Sequence, residues 1–185
     1  MKKSDNSLKT GKKTIKNTAI TAAFAAVIAV CAWICVPFPV PFTFQTFGVF
    51  CALKILGGKR GTLAILLYIS LGAAGLPVFS GFQAGVGVLF GPTGGYIWGF
   101  LIIGVIYMLF SRFCLTDKGK NALLFSGLLL CYLFGTLVFY FVSLKNGNAL
   151  PFSRLLLVCV IPYVLPDAAK LFLADVISKK VSKFV

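Results

Sequence analysis

Six long apolar runs dominate the chain, and short stretches rich in proline, glycine or charge separate them. Within the runs, aliphatic and aromatic residues follow one another without the alternation typical of a barrel strand, which predicts membrane-spanning helices. The second run is short, which predicts a tilted helix or one protected by its neighbours. The predicted spans are residues 18–36, 44–57, 62–79, 94–111, 122–144 and 155–178. The predicted fold class is an all-α integral membrane protein with six transmembrane helices.

The basic residues predict the orientation of these spans. A lysine-rich segment, residues 1–17, precedes the predicted membrane domain at 18–178, and a basic tail, residues 179–185, follows it. The second and fourth connections are also basic, whereas the first and third carry no charge. Lysine and arginine accumulate on the cytoplasmic side of membrane proteins. Both termini are therefore predicted to be cytoplasmic.

Composition narrows the classes of function. Hydrophobic residues make up 59% of the 185 residues, too many for a soluble domain of this size. The net charge of +14 gathers at the ends of the spans, where it sets topology and does not indicate nucleic-acid binding. Six cysteines without a CxxC pair, in a chain without histidine, give metal, haem and redox chemistry no support. Without a phosphate-binding loop or a catalytic set, neither an enzyme nor a cofactor is predicted.

Asp167 and Lys170 are the most informative polar residues. They lie inside an otherwise almost wholly apolar run, where each charge costs ~2.5–3.5 kcal/mol on the insertion scale. Residues three apart share one face of a helix, and this face is expected to line a cavity that binds a polar group. A purely structural ion pair that holds the last helix is the alternative. Asp175, near the cytoplasmic end, is predicted to pair with Lys179 at i+4.

Two outer connections have an unusual composition. The segment 37–43 contains alternating prolines, which predict a stiff, extended chain. The segment 80–93 is uncharged and apolar but rich in glycine, so it is expected to fold back over the bundle and close a cavity.

The sequence Gly-Pro-Thr-Gly-Gly-Tyr at 91–96 opens the fourth span. Pro92 suits a first helical turn, and Thr93 is a plausible N-cap. The glycine pair, Gly94 and Gly95, lets the backbone approach either another helix or a ligand. The residues alone leave both possibilities open.

This motif resembles the signature of the BioY family, the biotin-binding S components of energy-coupling-factor (ECF) vitamin transporters. Three further stretches resemble the same family: the segment 39–46 (PVPFTFQT), the segment 75–81 (GLPVFSG), and the segment 166–170 (PDAAK). The last has one spacer fewer between proline and aspartate than the family pattern. The resemblance extends over about residues 18–178.

The resemblance implies a substrate and a set of contacts. In such proteins the aspartate and lysine of the DxxK pattern, here Asp167 and Lys170, contact the ureido ring of biotin, which is a transported ligand and not a cofactor. A carboxylate suits the ureido N–H groups and an ammonium suits its carbonyl. Further polar and backbone candidates are Gln45, Gln83, Gly94 and Tyr96. Aromatic candidates for the apolar wall, chosen by loop position, are Phe44, Phe47, Phe79 and Phe82.

The resemblance also implies partners. S components dock on a membrane coupling subunit, the T component, which works with two ABC ATPases in the bacterial cytoplasmic membrane. An alanine strip on the first helix would make that contact, through Ala22 and Ala26 or, alternatively, through Ala25 and Ala29. The residues by themselves predict packing of small side chains against another helix.

Three other functions stay open at this point. The chain could capture a different vitamin, such as thiamin or riboflavin, in the same architecture. It could be a membrane scaffold that binds no small molecule, or a transporter that works without ATPases.

Overall fold

Long helices make up most of the structure, a computed structural model that describes residues 2–37, 40–147 and 151–181. The helices are α1 (Lys2–Trp33), α2 (Gln45–Ala73), α3 (Val86–Leu89), α4 (Gly94–Phe110), α5 (Asp117–Lys145), α6 (Phe152–Cys159) and α7 (Ile161–Val181). Within the described residues, four helical segments are long and apolar enough to cross a membrane: Gly11–Trp33, Gly94–Phe113, Asp117–Lys145 and Ser153–Val181.

Helix α1 is longer than the sequence predicts. It begins at Lys2 and ends at Trp33, so the described part of the basic segment continues the helix instead of preceding it. Asn17, at the junction, accepts a hydrogen bond of 2.9 Å from the guanidinium of Arg60 on α2. At its C-terminal side, α1 ends at Trp33, three residues before the predicted end of the first span at residue 36. The chain then enters a short strand.

Helix α2 contains both the second and the third predicted spans. Gly57 interrupts it with φ 78° and ψ 170°, a conformation that favours glycine, and so divides it into residues 45–56 and 58–73. The predicted span 62–79 is wrong at its C-terminal end. The helix ends at Ala73 because Gly75, with φ 99°, and Pro77 follow.

A small hairpin replaces helix between α1 and α2. Strand β1 (Cys35–Val36) pairs antiparallel with β2 (Phe42–Thr43), with Cys35 opposite Thr43. The prediction of a non-helical segment is thus confirmed for the described residues. Pro39 of the predicted proline motif lies outside them, as does Lys183 of the basic tail.

The glycine-rich connection folds back onto the helices, as the sequence predicts. The amide of Gly85 donates to the carbonyl of Gly72 on α2 at 2.8 Å. Trp33 at the end of α1 donates its indole N–H to the carbonyl of Pro77 at 2.9 Å and stacks on Phe82 at 5.2 Å between ring centres. These contacts tie the connection to α1 and α2.

The last predicted span is broken in the structure. Residues 155–178 form the end of α6 and most of α7, with non-helical backbone at Val160 (φ −122°, ψ −58°). Pro162 follows in the first turn of α7, where a missing amide N–H costs no hydrogen bond. Helix α5 begins at Asp117, earlier than predicted, because the Thr116 hydroxyl caps it by accepting from the Gly119 amide at 3.1 Å.

The surface of the bundle is strongly apolar. Leu165 is 83% exposed, and Phe172 is 71% exposed. Such a surface belongs in lipid and not in water. The chain is an integral membrane protein. All six cysteine thiols are free; four are buried, and Cys35 and Cys114 are half-buried.

Candidate ligand-binding site

Asp167 and Lys170 form a buried ion pair on one face of α7. The ammonium Nζ lies 2.6 Å from the carboxylate Oδ1, and the two residues are only 3% and 5% exposed. The i, i+3 spacing on a helix brings the two side chains together, as the sequence predicts.

Two further side chains donate hydrogen bonds to the Asp167 carboxylate. The Thr46 hydroxyl on α2 reaches Oδ1 at 2.8 Å, and the Tyr132 hydroxyl on α5 reaches Oδ2 at 2.5 Å. Three helices thus converge on one carboxylate. A buried charge needs such partners, since an unpaired one would be strongly destabilising.

Lys170 is held by backbone and by aromatic rings. Its ammonium donates to the carbonyl of Thr43 in strand β2 at 2.7 Å. It also lies 4.0 Å from the ring centre of Phe42 and 5.5 Å from that of Phe44, within the range of a cation–π interaction. The hairpin between α1 and α2 therefore supplies two partners of the cation, the Thr43 carbonyl and the Phe42 ring.

A second polar group borders the pair at the start of α2. Gln45 is 5% exposed; its amide nitrogen donates to the Tyr68 hydroxyl at 2.5 Å, and its carbonyl accepts from the Thr43 hydroxyl at 2.9 Å. Both ends of the amide are therefore oriented by neighbours.

These groups line one cavity of about 60 Å³. Its wall combines polar groups with apolar side chains, the usual composition of a small-molecule site. The lining residues are Val40, Pro41, Thr43, Gln45, Thr46, Ser80, Thr93, Tyr96, Ile97, Phe100, Cys131, Tyr132, Cys159, Tyr163, Asp167 and Lys170.

Comparison with known proteins identifies the family. The profile of the BioY family matches residues 2–185. The chain belongs to the BioY family.

Relatives of this BioY chain carry consistent names. It is 39% identical over 144 residues to the biotin transporter BioY of Thermotoga maritima, which covers 77% of this chain and 80% of the relative. It is 38% identical over 139 residues to a probable biotin transporter BioY of Pyrococcus horikoshii, covering 75% and 78%. A crystal structure of an S component for biotin from an ECF-type ABC transporter superimposes with a TM-score of 0.81 over 94% of both chains; at 22% identity it shows the shared fold.

The glycine pair of the BioY motif serves helix packing. A Cβ at Gly94 would lie 2.0 Å from the carbonyl oxygen of Leu89, and one at Gly95 would lie 2.6 Å from the Cβ of Val138 on α5. Tyr96, the last residue of the motif, lines the cavity, and its hydroxyl is 3.0 Å from that of Thr136. Thr93 occupies the N-cap position, but its hydroxyl makes no capping bond. It lines the cavity instead.

Several residues predicted from loop position lie elsewhere in this BioY chain. Gln83 is exposed and does not line the cavity. Phe79 is fully buried, lies edge-on to Tyr68 at 5.6 Å between ring centres, and is not among the residues that line the cavity. Phe82 is 62% exposed against Trp33. Phe44 packs against Phe47 at 5.9 Å, with Phe44 towards Lys170.

The alanines of α1 divide into two faces. Ala25 and Ala29 are buried within the bundle, where α1 packs on α2. Ala22 and Ala26 are exposed on the adjacent face, only about 60° around the helix from that pair.

Sequence reasoning missed Thr46, Tyr132 and Lys54. Tyr132 lies in an unbroken apolar run and resembles a packing aromatic. Lys54 also lies in an apolar run and offered a signal comparable to that of Lys170. It pairs with Asp175, which also binds Lys179 at 2.8 Å, so the predicted i+4 pair is confirmed but is only part of that network.

Proposed function

We propose that this chain is the substrate-capture (S) component of an ECF-type ABC importer and that it binds biotin from the outside. The observation that carries the proposal is the buried Asp167–Lys170 pair at the wall of a cavity. Membership of the BioY family, and relatives named biotin transporters, support biotin as the ligand.

The hydrogen-bonding capacity of the pair supports a ureido group. An ionised carboxylate offers about four lone-pair sites, and within the described residues three are used: two on Oδ1 and one on Oδ2 of Asp167. An ammonium has three protons, and two of those on Lys170 are used, by Thr43 and Asp167. One acceptor site on Oδ2 therefore remains, and the third ammonium proton has only the ring of Phe42, 4.0 Å from the nitrogen, which a ligand carbonyl could replace. A ureido N–H would donate to Oδ2, and the ureido carbonyl would accept from Lys170.

Other cavity residues fit the rest of the molecule. Gln45 and Tyr96 offer further polar groups close to the ion pair, while Ile97 and Phe100 supply apolar wall. This wall would contact the ring system of biotin; a cavity of about 60 Å³ is smaller than the whole molecule, so the aliphatic chain would extend beyond it. Gln83, Phe79 and Gly94 are not part of this proposed contact set.

The proposed topology has six transmembrane helices with both termini in the cytoplasm. The two halves of α2, residues 45–56 and 58–73, add two spans to the four long ones. The chain turns between these halves at Gly57, next to the basic Lys59 and Arg60. At ~1.5 Å per residue the first half is shorter than a bilayer, so neighbouring helices must shield it. With basic residues inside, the site lies towards the outer side of a bacterial cytoplasmic membrane.

The proposed partners are a T component and two ABC ATPases. The exposed Ala22 and Ala26 on α1 give a flat strip on which a helix of the T component can pack. The buried Ala25 and Ala29 are occupied within the chain.

Calorimetric titration of the purified protein in detergent, with biotin and with thiamin and riboflavin as controls, tests the proposal. Tight stoichiometric binding of biotin alone is expected. Asp167→Asn should weaken it at least tenfold, about 1.4 kcal/mol. Asp117→Asn, at a side chain that is 60% exposed, is the matched control and should bind like the parent. Folded protein that binds none of these vitamins would refute capture and favour a scaffold role.

A further inference from the structure

We propose that Tyr132 is a positioning residue for biotin, acting through the Asp167 carboxylate; this inference rests on the proposed function. Tyr132 lies on α5, is 6% exposed, and donates its hydroxyl proton to Oδ2 of Asp167 at 2.5 Å. This is the oxygen whose remaining lone pair is assigned to the ligand.

The bond matters because a carboxylate rotates easily. The last torsion of an aspartate has a broad energy minimum, so packing alone does not set the plane of the two oxygens. In Asp167, Thr46 and Lys170 hold Oδ1 while Tyr132 holds Oδ2 from another helix. Bonds to both oxygens fix the plane and direct the free lone pair of Oδ2 into the cavity. The site is therefore pre-organised, and binding does not have to order it.

Tyr132 also lowers the number of hydrogen bonds that the Asp167 carboxylate can accept from a ligand. Because its proton occupies one lone pair of Oδ2, a single ligand N–H fits at this carboxylate. Without the hydroxyl, the carboxylate could rotate, and the lone pairs of Oδ2 would have no fixed direction. Water could also bind Oδ2, and a ligand N–H would then compete with that water. The phenol ring would remain in place, which separates this role from packing.

The test begins with a measurement that does not involve biotin. The chain has four acidic residues, all aspartates, so carbon-13 labelling of the aspartate carboxyl gives four signals that single Asp→Asn variants assign. Tyr132→Phe is expected to shift the Asp167 signal. Tyr107→Phe, which removes a hydroxyl from another buried tyrosine that is outside the cavity, is the control and should leave it unchanged.

The second measurement is a double-mutant cycle of biotin binding. Tyr132→Phe should weaken binding about ten- to a hundredfold in the parent, as expected for a lost bond to a charged group. In an Asp167→Asn background, the same change should cost less than threefold, since the group it orients is gone. Equal losses in both backgrounds would mean that Tyr132 touches biotin directly or acts only on stability, and would overturn the proposal.

The two arms separate the possible failures. An unshifted Asp167 signal in Tyr132→Phe would overturn the positioning role whatever the ligand. A shifted signal with unchanged biotin affinity would overturn it as well. If the parent protein binds no biotin, the proposed function fails, while the carbon-13 measurement still reports on the bond between Tyr132 and Asp167.

Discussion

Lys54 on α2 and Asp175 on α7 form a buried ion pair eight residues further along both helices than the hydrogen bond between Thr46 and Asp167. The two contacts therefore join the same pair of helices at two levels, about 12 Å apart at ~1.5 Å per residue. The contact between Thr46 and Asp167 lies at the wall of the candidate cavity. The other lies near the basic end of α7, where Asn121 on α5 also accepts a bond from Lys54.

Removal of Lys54 should destabilise the fold strongly. Its side chain is 6% exposed, and Lys54→Met would leave the carboxylate of Asp175 without its buried partner. The expected loss in free energy of unfolding is roughly 3–5 kcal/mol. Thermal unfolding of the protein in detergent, followed by circular dichroism, measures it.

Lys179→Met is the matched control, because Lys179 binds the same carboxylate at 2.8 Å but is 56% exposed. An exposed partner contributes about 0–1 kcal/mol, so this variant should unfold close to the parent. Replacement of both buried partners, Lys54→Met with Asp175→Leu, should recover much of the loss. Equal effects of Lys54→Met and Lys179→Met would show that burial does not govern this network.

Gly94→Ala tests the packing role of the glycine motif. The added Cβ would lie 2.0 Å from the carbonyl oxygen of Leu89, a backbone atom that cannot move away alone. The junction of α3 and α4 must shift, and with it Thr93 and Tyr96 at the cavity. We expect a loss of about 1–3 kcal/mol in stability, with weaker biotin binding.

Gly87→Ala on α3 is the control for this change, since a Cβ there meets nothing within 4 Å. It should have the stability and affinity of the parent. A Gly94→Ala protein that is fully stable but no longer binds would instead assign Gly94 to direct ligand contact.

The two glutamines predicted to contact the ligand should differ in their effect on biotin affinity. Gln45 lines the cavity between Thr43 and Tyr68, whereas Gln83 is exposed outside it. Gln45→Leu should lower biotin affinity about tenfold, the effect of a lost buried hydrogen-bonding group. Gln83→Leu should change it less than twofold. Titration of both variants decides, and the reverse order would place the ligand beneath the glycine-rich connection.

Local sequence patterns predicted part of the site well. The spacing of Asp167 and Lys170 fixed their shared helical face, and the structure joins them at 2.6 Å. The glycine motif correctly placed the start of α4 at Gly94. In both cases the information lies within one turn of a helix, where geometry follows from the period of 3.6 residues.

Contacts between segments that are distant in the chain could not be predicted from local sequence patterns. Tyr132 and Asp167 are separated by 35 residues, and Lys54 and Asp175 by 121, so only the packing of helices brings them together. Two apolar runs with basic residues between them predicted a division of the chain near residue 57, and the structure breaks α2 at Gly57. Residues 58–61, predicted as a connection, are helical. Position in a loop also does not predict burial, since Gln83 is exposed and lies outside the cavity lining.

Ligand chemistry offers a test of the donor and acceptor assignment. In 2-iminobiotin a guanidino group, protonated at neutral pH, replaces the ureido group, so a cation with only donors would face Lys170 where a carbonyl acceptor is expected. Within the described residues, Lys170 is 5% exposed and Asp167 already accepts three bonds, so the site cannot easily neutralise a second cation. Binding should be at least a hundredfold weaker than that of biotin, about 2.7 kcal/mol.

Desthiobiotin, which keeps the ureido group but lacks the sulfur, is the control and should stay within about tenfold of biotin, because only apolar contact is lost. Competition titrations against biotin measure both analogues. Equal affinity for 2-iminobiotin and biotin would mean that Lys170 does not face the ureido carbonyl.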